Sequence, residues 1–302
     1  MKFTMQPNSW DKVRKTLEEA GHELVDDIAD AECMLFNGTP DELPEIPESL
    51  GFVQLHLAGV DAFVDQMKNS STRWANAAGL YDKTVAESAI ALLLAQLHVH
   101  KPSTQAATWL QKELEPKTRF LSDDSTVAII GAGGIGQELI SMLKGFGPEI
   151  IAVNRSGNPV DGADETVPST ELDSVWPRAD FFVLLMPLTD ETHHIVDADA
   201  FAKMKDSAVV VNVGRGPLVN TDDLVDALRN GVIAGAGLDV TEPEPLPDGH
   251  PLWEMSECVI TPHLANPLYS VHDRIGAHML KNMEAFANGE TMPTEVDVEA
   301  GY

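Results

Sequence analysis

"VAIIGAGGIGQELI", residues 127–140, is the stretch on which the fold turns. A short apolar run, Val127 to Ile130, meets Gly131, Gly133 and Gly136 in G-x-G-x-x-G spacing, and an apolar-periodic stretch follows at once. Each glycine has its own task. Gly131 permits a tight turn, Gly133 lets a pyrophosphate approach the backbone, and Gly136 lets helix and strand pack closely. The helix start, Gly134 and Ile135 included, offers free N–H groups and a partial positive charge to phosphates. A glycine triplet alone is a weak signal. With a strand before it, a helix after it and a second apolar strand at 150–153, it reads as a dinucleotide cradle rather than a mere tight turn.

Working outward, the chain from 127 onward alternates strand-like and helical runs. Strands are expected at 127–130, 150–153, 181–186, 208–213, 233–238 and 258–260, with helices such as 136–144 and 221–229 between them. Several of the strands are apolar throughout, as strands covered on both faces must be. This is the pattern of an α/β, Rossmann-type doubly wound parallel sheet. Residues 1–80 read as a smaller flavodoxin-like α/β unit, with strands at 33–36, 52–56 and 74–75 and helices at 10–20 and 62–68. Thr84-Val85-Ala86-Glu87 fits a capping box that opens a helix with an apolar body at 87–100, and Lys101-Pro102 and the polar stretch 115–124 loosen the pattern after it. An apolar-periodic helix after Pro267, running to about 287, is expected to return to the first unit. The expected organisation is a discontinuous substrate-binding domain, 1–97 and 268–302, and a dinucleotide-binding domain, 98–267.

The 302 residues, 43% hydrophobic, suffice for two ordinary cores. Cys33 and Cys258 match no metal or redox spacing, which suits a reducing, cytoplasmic location. The amino terminus carries no apolar signal core, and the longest apolar run, 89–95, is too short for a bilayer. With 48 acidic residues against 20 basic ones the net charge is −28, which repels phosphate polymers and anionic lipid, so neither nucleic acid nor membrane is expected as a partner. The acids are dispersed rather than gathered in a tail. Salt at about 1 M shortens the Debye length to ~3 Å, so the charge reads as adaptation to a salt-filled cytoplasm, with an ordinary acidic enzyme as the alternative.

Against that acidity stands Arg155, in "IIAVNRSGN" at 150–158. The end of the second strand is where an NAD site places an acid to bind the ribose 2′-OH. Here the tip reads Asn154-Arg155-Ser156. An acid would repel a 2′-phosphate, whereas a guanidinium binds it through paired charge-assisted bonds. NADP(H) is therefore the expected cofactor, and NAD(H), held through Asn154 with Arg155 merely solvated, is the alternative.

Three further segments sit at expected strand ends, the edge where such sheets bind ligands. "VVNVGRGPLV" carries Arg215, "GLDVTEPEPLP" carries Asp239, Glu242 and Glu244, and "VITPHLANP" carries His263. Reduction of a 2-keto acid needs a cation on the carboxylate and carbonyl, which Arg215 can provide. It also needs an acid for the forming alkoxide, and an imidazole such as that of His263 titrates near ~6.5. A carboxylate on the other ring nitrogen, assigned to Glu244, would fix the tautomer. Singly, each has an ordinary reading: Arg215 a turn residue, the acids a solvated loop, His263 a structural histidine.

Together these segments resemble the D-isomer-specific 2-hydroxyacid dehydrogenase family over nearly the whole chain. The glycine motif, "NVGRG", "LDVTEPEPLP" and "TPH" appear in that family's order, and "HLAGVD" (56–61), "TVAES" (84–88) and "MPLTDET" (186–192) look like its other signatures. The acidity and Arg155 suggest an NADP-preferring, salt-adapted member resembling the haloarchaeal ones. The resemblance implies a catalytic set of Arg215, Glu244 and His263, and a substrate carboxylate held by backbone amides at Leu57, Ala58, Gly59 and Val60. It implies that Asp239 holds the nicotinamide carboxamide and that Thr84, Met186, Pro187, Thr192 and Val213 line the cofactor. It also implies a homodimer formed through the cofactor domain, and cleft closure that excludes water. Many members carry an acid near position 154 and a small residue after "TPHLA", where this chain has Asn154 and Asn266.

The implied activity is NADPH-dependent reduction of a 2-keto acid to a D-2-hydroxy acid. Glyoxylate or hydroxypyruvate competes with bulkier keto acids as substrate. Phosphoglycerate oxidation is disfavoured, because no regulatory domain follows. A dinucleotide-sensing adaptor resembling the carboxyl-terminal-binding-protein corepressors is the alternative from another class. His98 and His100, two apart on a helix, are expected to face different sides, and His193-His194 has no ligand partner in sequence, so no catalytic metal is expected.

Overall fold

The structure, a computed structural model, describes residues 1–122 and 124–299. Asp123, within the expected polar stretch, and residues 300–302, the expected end of the first unit, lie outside the described residues. Two compact units emerge, Met1–Tyr81 with Asn266–Tyr302, and Asp82–Ala265.

The first unit holds five parallel strands, β1 (Lys2–Gln6), β2 (Glu23–Leu24), β3 (Cys33–Phe36), β4 (Phe52–Leu55) and β5 (Arg73–Ala75), in the order β2-β1-β3-β4-β5. β3 and β4 are buried along their whole length. Helix Asp11–Glu19 packs against the long helix Leu268–Ala287, and Gly276 makes the approach close, since a Cβ there would lie 3.1 Å from Thr16. The carboxyl-terminal segment is anchored by a buried polar network. Asn282 Nδ2 donates to Gln54 Oε1 (2.7 Å) and to Thr294 Oγ1 (2.8 Å), and Gln54 and Asn282 are wholly buried, so their amides must be paired with each other and with backbone. The helix expected at 62–68 is a 3₁₀ turn, Asp61–Phe63, followed by Val64–Lys68.

The second unit holds seven parallel strands, β6 (Thr126–Ile130), β7 (Glu149–Asn154), β8 (Glu165–Pro168), β9 (Phe181–Leu184), β10 (Val209–Asn212), β11 (Gly235–Leu238) and β12 (Cys258–Ile260). Their order is β12-β11-β10-β9-β6-β7-β8, so the direction of winding reverses between β6 and β9. The glycine turn thus lies at the switch point, where the carboxyl ends of neighbouring strands diverge and a crevice opens. β9, β10 and β11 are buried throughout, as the apolar runs required.

Three local expectations change. Helix Asp82–Leu97 starts before Thr84, so Thr84 sits in its first turn and is not a cap; the helix contacts β10, β11, β12 and helix Gly134–Leu143 of the second unit. The glycines of β11 explain its fit, for a Cβ on Gly237 would meet Leu92 at 2.9 Å. The helix does not continue to His100. Val99 takes the left-handed conformation (φ 48°) and a new helix, His100–Ala106, carries Lys101 and Pro102 in its first turn, where proline's missing N–H costs nothing. That break also brings the His98 and His100 rings to 6.0 Å, edge to face, rather than to opposite sides. Among the described residues no helix is long and apolar enough to cross a membrane.

Candidate active site

The cradle follows from the glycines. Gly131 has φ +103°, and a Cβ on it would come 2.5 Å from the Met186 nitrogen. The N–H groups of Gly131 and Ala132 both donate to Val153 O at 2.9 Å, clamping the turn to the end of β7. Gly133 is the amino-terminal cap of helix Gly134–Leu143, and nothing lies within 4 Å of a Cβ built on it. An open backbone at a helix amino terminus is what a pyrophosphate needs, and a side chain there would fill that space. A Cβ on Gly136 would lie 3.1 Å from Gly131 O, so that glycine serves packing rather than the ligand. Gly134 and Ile135 open the helix, with Gly134 exposed. Met186 and Val213 are buried just beyond the carboxyl ends of β9 and β10, and Pro187 is exposed beside Met186. Thr192 spends its hydroxyl on its own turn, accepting from Thr189 N and donating to Pro187 O, both at 2.8 Å.

At the tip of β7 the Asn154 side chain builds a turn. It donates to Asn158 O (2.8 Å) and accepts from Gly157 N (2.6 Å), where Gly157 has φ +71°. With its amide committed to the loop, Asn154 presents Arg155 and Ser156 as exposed residues at the tip.

Arg215 follows β10. The buried Asn212 shapes its turn, donating from Nδ2 to Arg215 O (2.8 Å) and accepting from Gly214 N (3.1 Å). Arg215 is half-buried and donates from Nη1 to Gly214 O at 2.8 Å. Gly216 is obligatory, because a Cβ there would collide with the Thr241 carbonyl. The loop after β10 is thereby pressed onto the loop after β11, which carries Glu244.

His263 Nδ1 lies 2.6 Å from Glu244 Oε1. Both side chains are about half exposed, at 52% and 42%. A carboxylate can only accept, so Nδ1 carries the proton of this bond and the lone pair of the neutral ring falls on Nε2. His263 is left-handed (φ 51°), a conformation that a non-glycine residue holds only where its surroundings fix it. Asp239 does the fixing. Only 2% exposed, its carboxylate accepts from Leu264 N (2.9 Å), Ala265 N (2.9 Å) and Thr261 Oγ1 (2.5 Å), while its carbonyl accepts from His263 N (2.8 Å). Sequence reasoning assigned Asp239 to the nicotinamide alone and missed this staple. Three of the roughly four lone-pair sites of the carboxylate are used, which leaves one for an outside donor.

In the first unit the 57–60 loop turns its carbonyls inward. Leu57 O accepts from Ala77 N (2.8 Å), Ala58 O from Asn76 Nδ2 (2.9 Å) and Val60 O from Phe63 N (2.8 Å). Among the described residues the N–H groups of Leu57, Ala58, Gly59 and Val60 have no acceptor. A run of such amides is an anion-binding backbone.

One cluster had no sequence signal. The sequence offers His193 and His194 no ligand partner, but the fold brings Glu242 to them. His194 Nε2 is 2.5 Å from Glu242 Oε2, and His193 Nε2 is 3.7 Å from Oε1. Cys33 and Cys258 are buried and unpaired, and burial pushes each thiol up to about 12, so neither offers a thiolate.

Residues 88–265 match the family model of the D-isomer specific 2-hydroxyacid dehydrogenase NAD-binding domain. An uncharacterized protein in the proB 3′ region of Corynebacterium melassecola is 56% identical over 304 residues, covering all of both chains. The glyoxylate reductase/hydroxypyruvate reductase of Mus musculus is 35% identical, covering 79% of this chain and 74% of that one. Among solved structures, an NADPH-dependent glyoxylate/hydroxypyruvate reductase from Sinorhizobium meliloti, in complex with NADP and sulfate, superposes with a TM-score of 0.82 at 25% identity over 100% of this chain and 99% of that one.

Proposed function

The chain belongs to the D-isomer specific 2-hydroxyacid dehydrogenase family, and from that premise we propose that it is an NADPH-preferring reductase of small 2-keto acids, with glyoxylate and hydroxypyruvate first among them. The observation that carries the reading is the 2.6 Å bond between Glu244 and His263, held on a loop stapled by Asp239. When bound, the dinucleotide supplies the hydride. Every other part falls to the chain. The Gly131–Gly133–Gly136 turn holds the pyrophosphate. Arg155, with Ser156, reads the 2′-phosphate; the committed amide of Asn154 supports this, and NADH can serve more weakly because no acid is needed to bind the adenosine ribose.

The amides at 57–60 hold the substrate carboxylate, and Arg215 binds carboxylate and carbonyl with its fork of donors. His263 enters the step as the imidazolium, with Nδ1–H held by Glu244, and gives its Nε2 proton to the carbonyl oxygen as that oxygen becomes an alkoxide, which leaves the neutral ring with its lone pair on Nε2. Glu244 keeps the other nitrogen protonated and the ring oriented, and Asp239 holds the loop. Assembly as a homodimer through the second unit is supported by apolar surface on its 98–121 segment, where Trp109 is 87% exposed and Phe120 48%. Free, buried cysteines suit a reducing cytoplasm.

The test is cofactor oxidation, with NADPH and NADH in parallel, against keto acids from glyoxylate and hydroxypyruvate to branched and aromatic ones, in concentrated salt. Turnover that favours NADPH and small acids is expected. Folded protein that binds dinucleotide yet turns over nothing would overturn the proposal in favour of a sensing adaptor.

A further inference from the structure

The Glu242 cluster performs no task in that mechanism. Glu242 is two residues before Glu244, and its carbonyl accepts from Thr221 Oγ1 at 2.6 Å, so its backbone is fixed. His194 N donates to Pro217 O at 2.7 Å, which fixes the opposite side. His194 is left-handed (φ 53°), and among the described residues it and His263 are the only histidines in that conformation. Consecutive side chains ordinarily diverge, but here the two rings stack with centroids 3.8 Å apart and an interplanar angle of 29°. Both Nε2 atoms therefore address one carboxylate. A left-handed non-glycine residue persists where its surroundings fix it, and here the His194 N–Pro217 O bond and the contact of the ring with Glu242 do so.

We propose that His193, His194 and Glu242 bind a divalent transition-metal ion of the zinc and cobalt class. The three ligand atoms lie within 4.8 Å of one another. Bonds of about 2.0–2.2 Å place tetrahedral ligand atoms roughly 3.3–3.5 Å apart, so the contraction and opening needed are small. The 3.7 Å pair already lies near that spacing, and the 2.5 Å pair has to open as the ion enters between its atoms. The side chains can do so, being 50%, 32% and 33% exposed for His193, His194 and Glu242. Two imidazoles and one carboxylate select nitrogen-seeking ions over calcium or magnesium, which take oxygen ligands. Three protein ligands leave one position to water. The ion would tie the 189–195 turn to the 241–245 loop and so brace the segment that carries Glu244.

The experiment is a Co²⁺ titration of chelator-stripped, full-length protein at pH ~7.5. It is run in about 1 M KCl, so that loose cation binding to the acidic surface is screened. One equivalent should produce visible d–d bands that Zn²⁺ abolishes, and should raise the melting temperature. His193→Ala and Glu242→Gln should each weaken binding at least tenfold, with circular dichroism checking their fold. Cobalt bands and melting shifts that are the same in the His193→Ala/Glu242→Gln double variant, or no saturable binding at all, would overturn the site. No substrate or dinucleotide enters the measurement, so its outcome is independent of the reductase reading.

Discussion

Replacing Asp239 with asparagine separates two roles for one carboxylate. Asparagine is isosteric but has a single acceptor oxygen. If that oxygen faces Leu264 N and Thr261 Oγ1, the amide NH₂ faces Ala265 N–H, donor against donor; the other orientation forfeits two bonds instead of one. At least one charge-assisted bond is lost at a site only 2% exposed, at about 1.5–3 kcal/mol. Set against the loop conformation that holds His263 left-handed, this corresponds to roughly a tenfold to hundredfold fall in the population of the ordered loop. A misplacement of about 1 Å at a reacting group costs a similar factor.

Steady-state kinetics of the Asp239→Asn variant should therefore show kcat reduced about ten- to a hundredfold, with dinucleotide binding, measured directly by fluorescence titration, changed little. Asp239→Ala should lose more, since it leaves three donors without an acceptor. The reasoning would be refuted by a variant whose kcat is intact while its KM for the dinucleotide rises. That result would mean the carboxylate acts on the nicotinamide carboxamide and the loop holds itself.

Arg155→Ala should raise the Kd for NADPH roughly ten- to a hundredfold and leave NADH almost unchanged, by the worth of charge-assisted bonds to phosphate; equal losses would remove the 2′-phosphate role. Acid should destabilise the first unit before carboxylates titrate. Burial lowers the pKa of His56 and of His278, so both stay neutral in the fold while the unfolded chain takes up protons below ~6.5. Their contribution is complete above that pH and is lost as pH falls below it. Melting temperature should be level from pH 8 to 7 and then decline, less steeply in His278→Gln; an identical slope in the variant would exclude His278 as a cause. Lowering salt from about 1 M to 0.01 M lengthens the Debye length from ~3 to ~30 Å, so a chain of net charge −28 should melt at lower temperature, and an unchanged curve would refute salt adaptation.

What the sequence revealed tracks how local each determinant is. β3 and β12 coincide with the expected segments, and helix Thr221–Arg229 does too, because each is an apolar or amphipathic run bounded by clear turns. β1, β2 and β8 carry polar residues, lie at or near sheet edges, and gave no run to read. The end of helix Asp82–Leu97 was missed because it is set by one left-handed valine, which no propensity marks. The nearness of Glu244 to His263 was legible through the ordered motifs that carry them. The joining of Glu242 to His194, 48 residues apart, depends on how two loops lie across the sheet edge and has no linear signature.

The same distinction explains the residues that the motifs under-describe. "NVGRG" draws attention to Arg215, yet the group that shapes its turn is Asn212, and Gly216 is required by the Thr241 carbonyl of another loop. "LDV" draws attention to Asp239 as a contact for a ligand, yet its bonds run to Thr261, Leu264 and Ala265. A family motif thus compresses two kinds of requirement, groups that face the reactants and groups that hold neighbouring loops in place. Only the first kind can be argued from chemistry at one position. The second needs the topology: β10, β11 and β12 are adjacent and parallel, so their carboxyl-terminal loops emerge side by side and can brace one another. Half-exposed residues such as Glu244 and His263 have little packing to orient them, and their geometry is therefore inherited from buried partners one strand away.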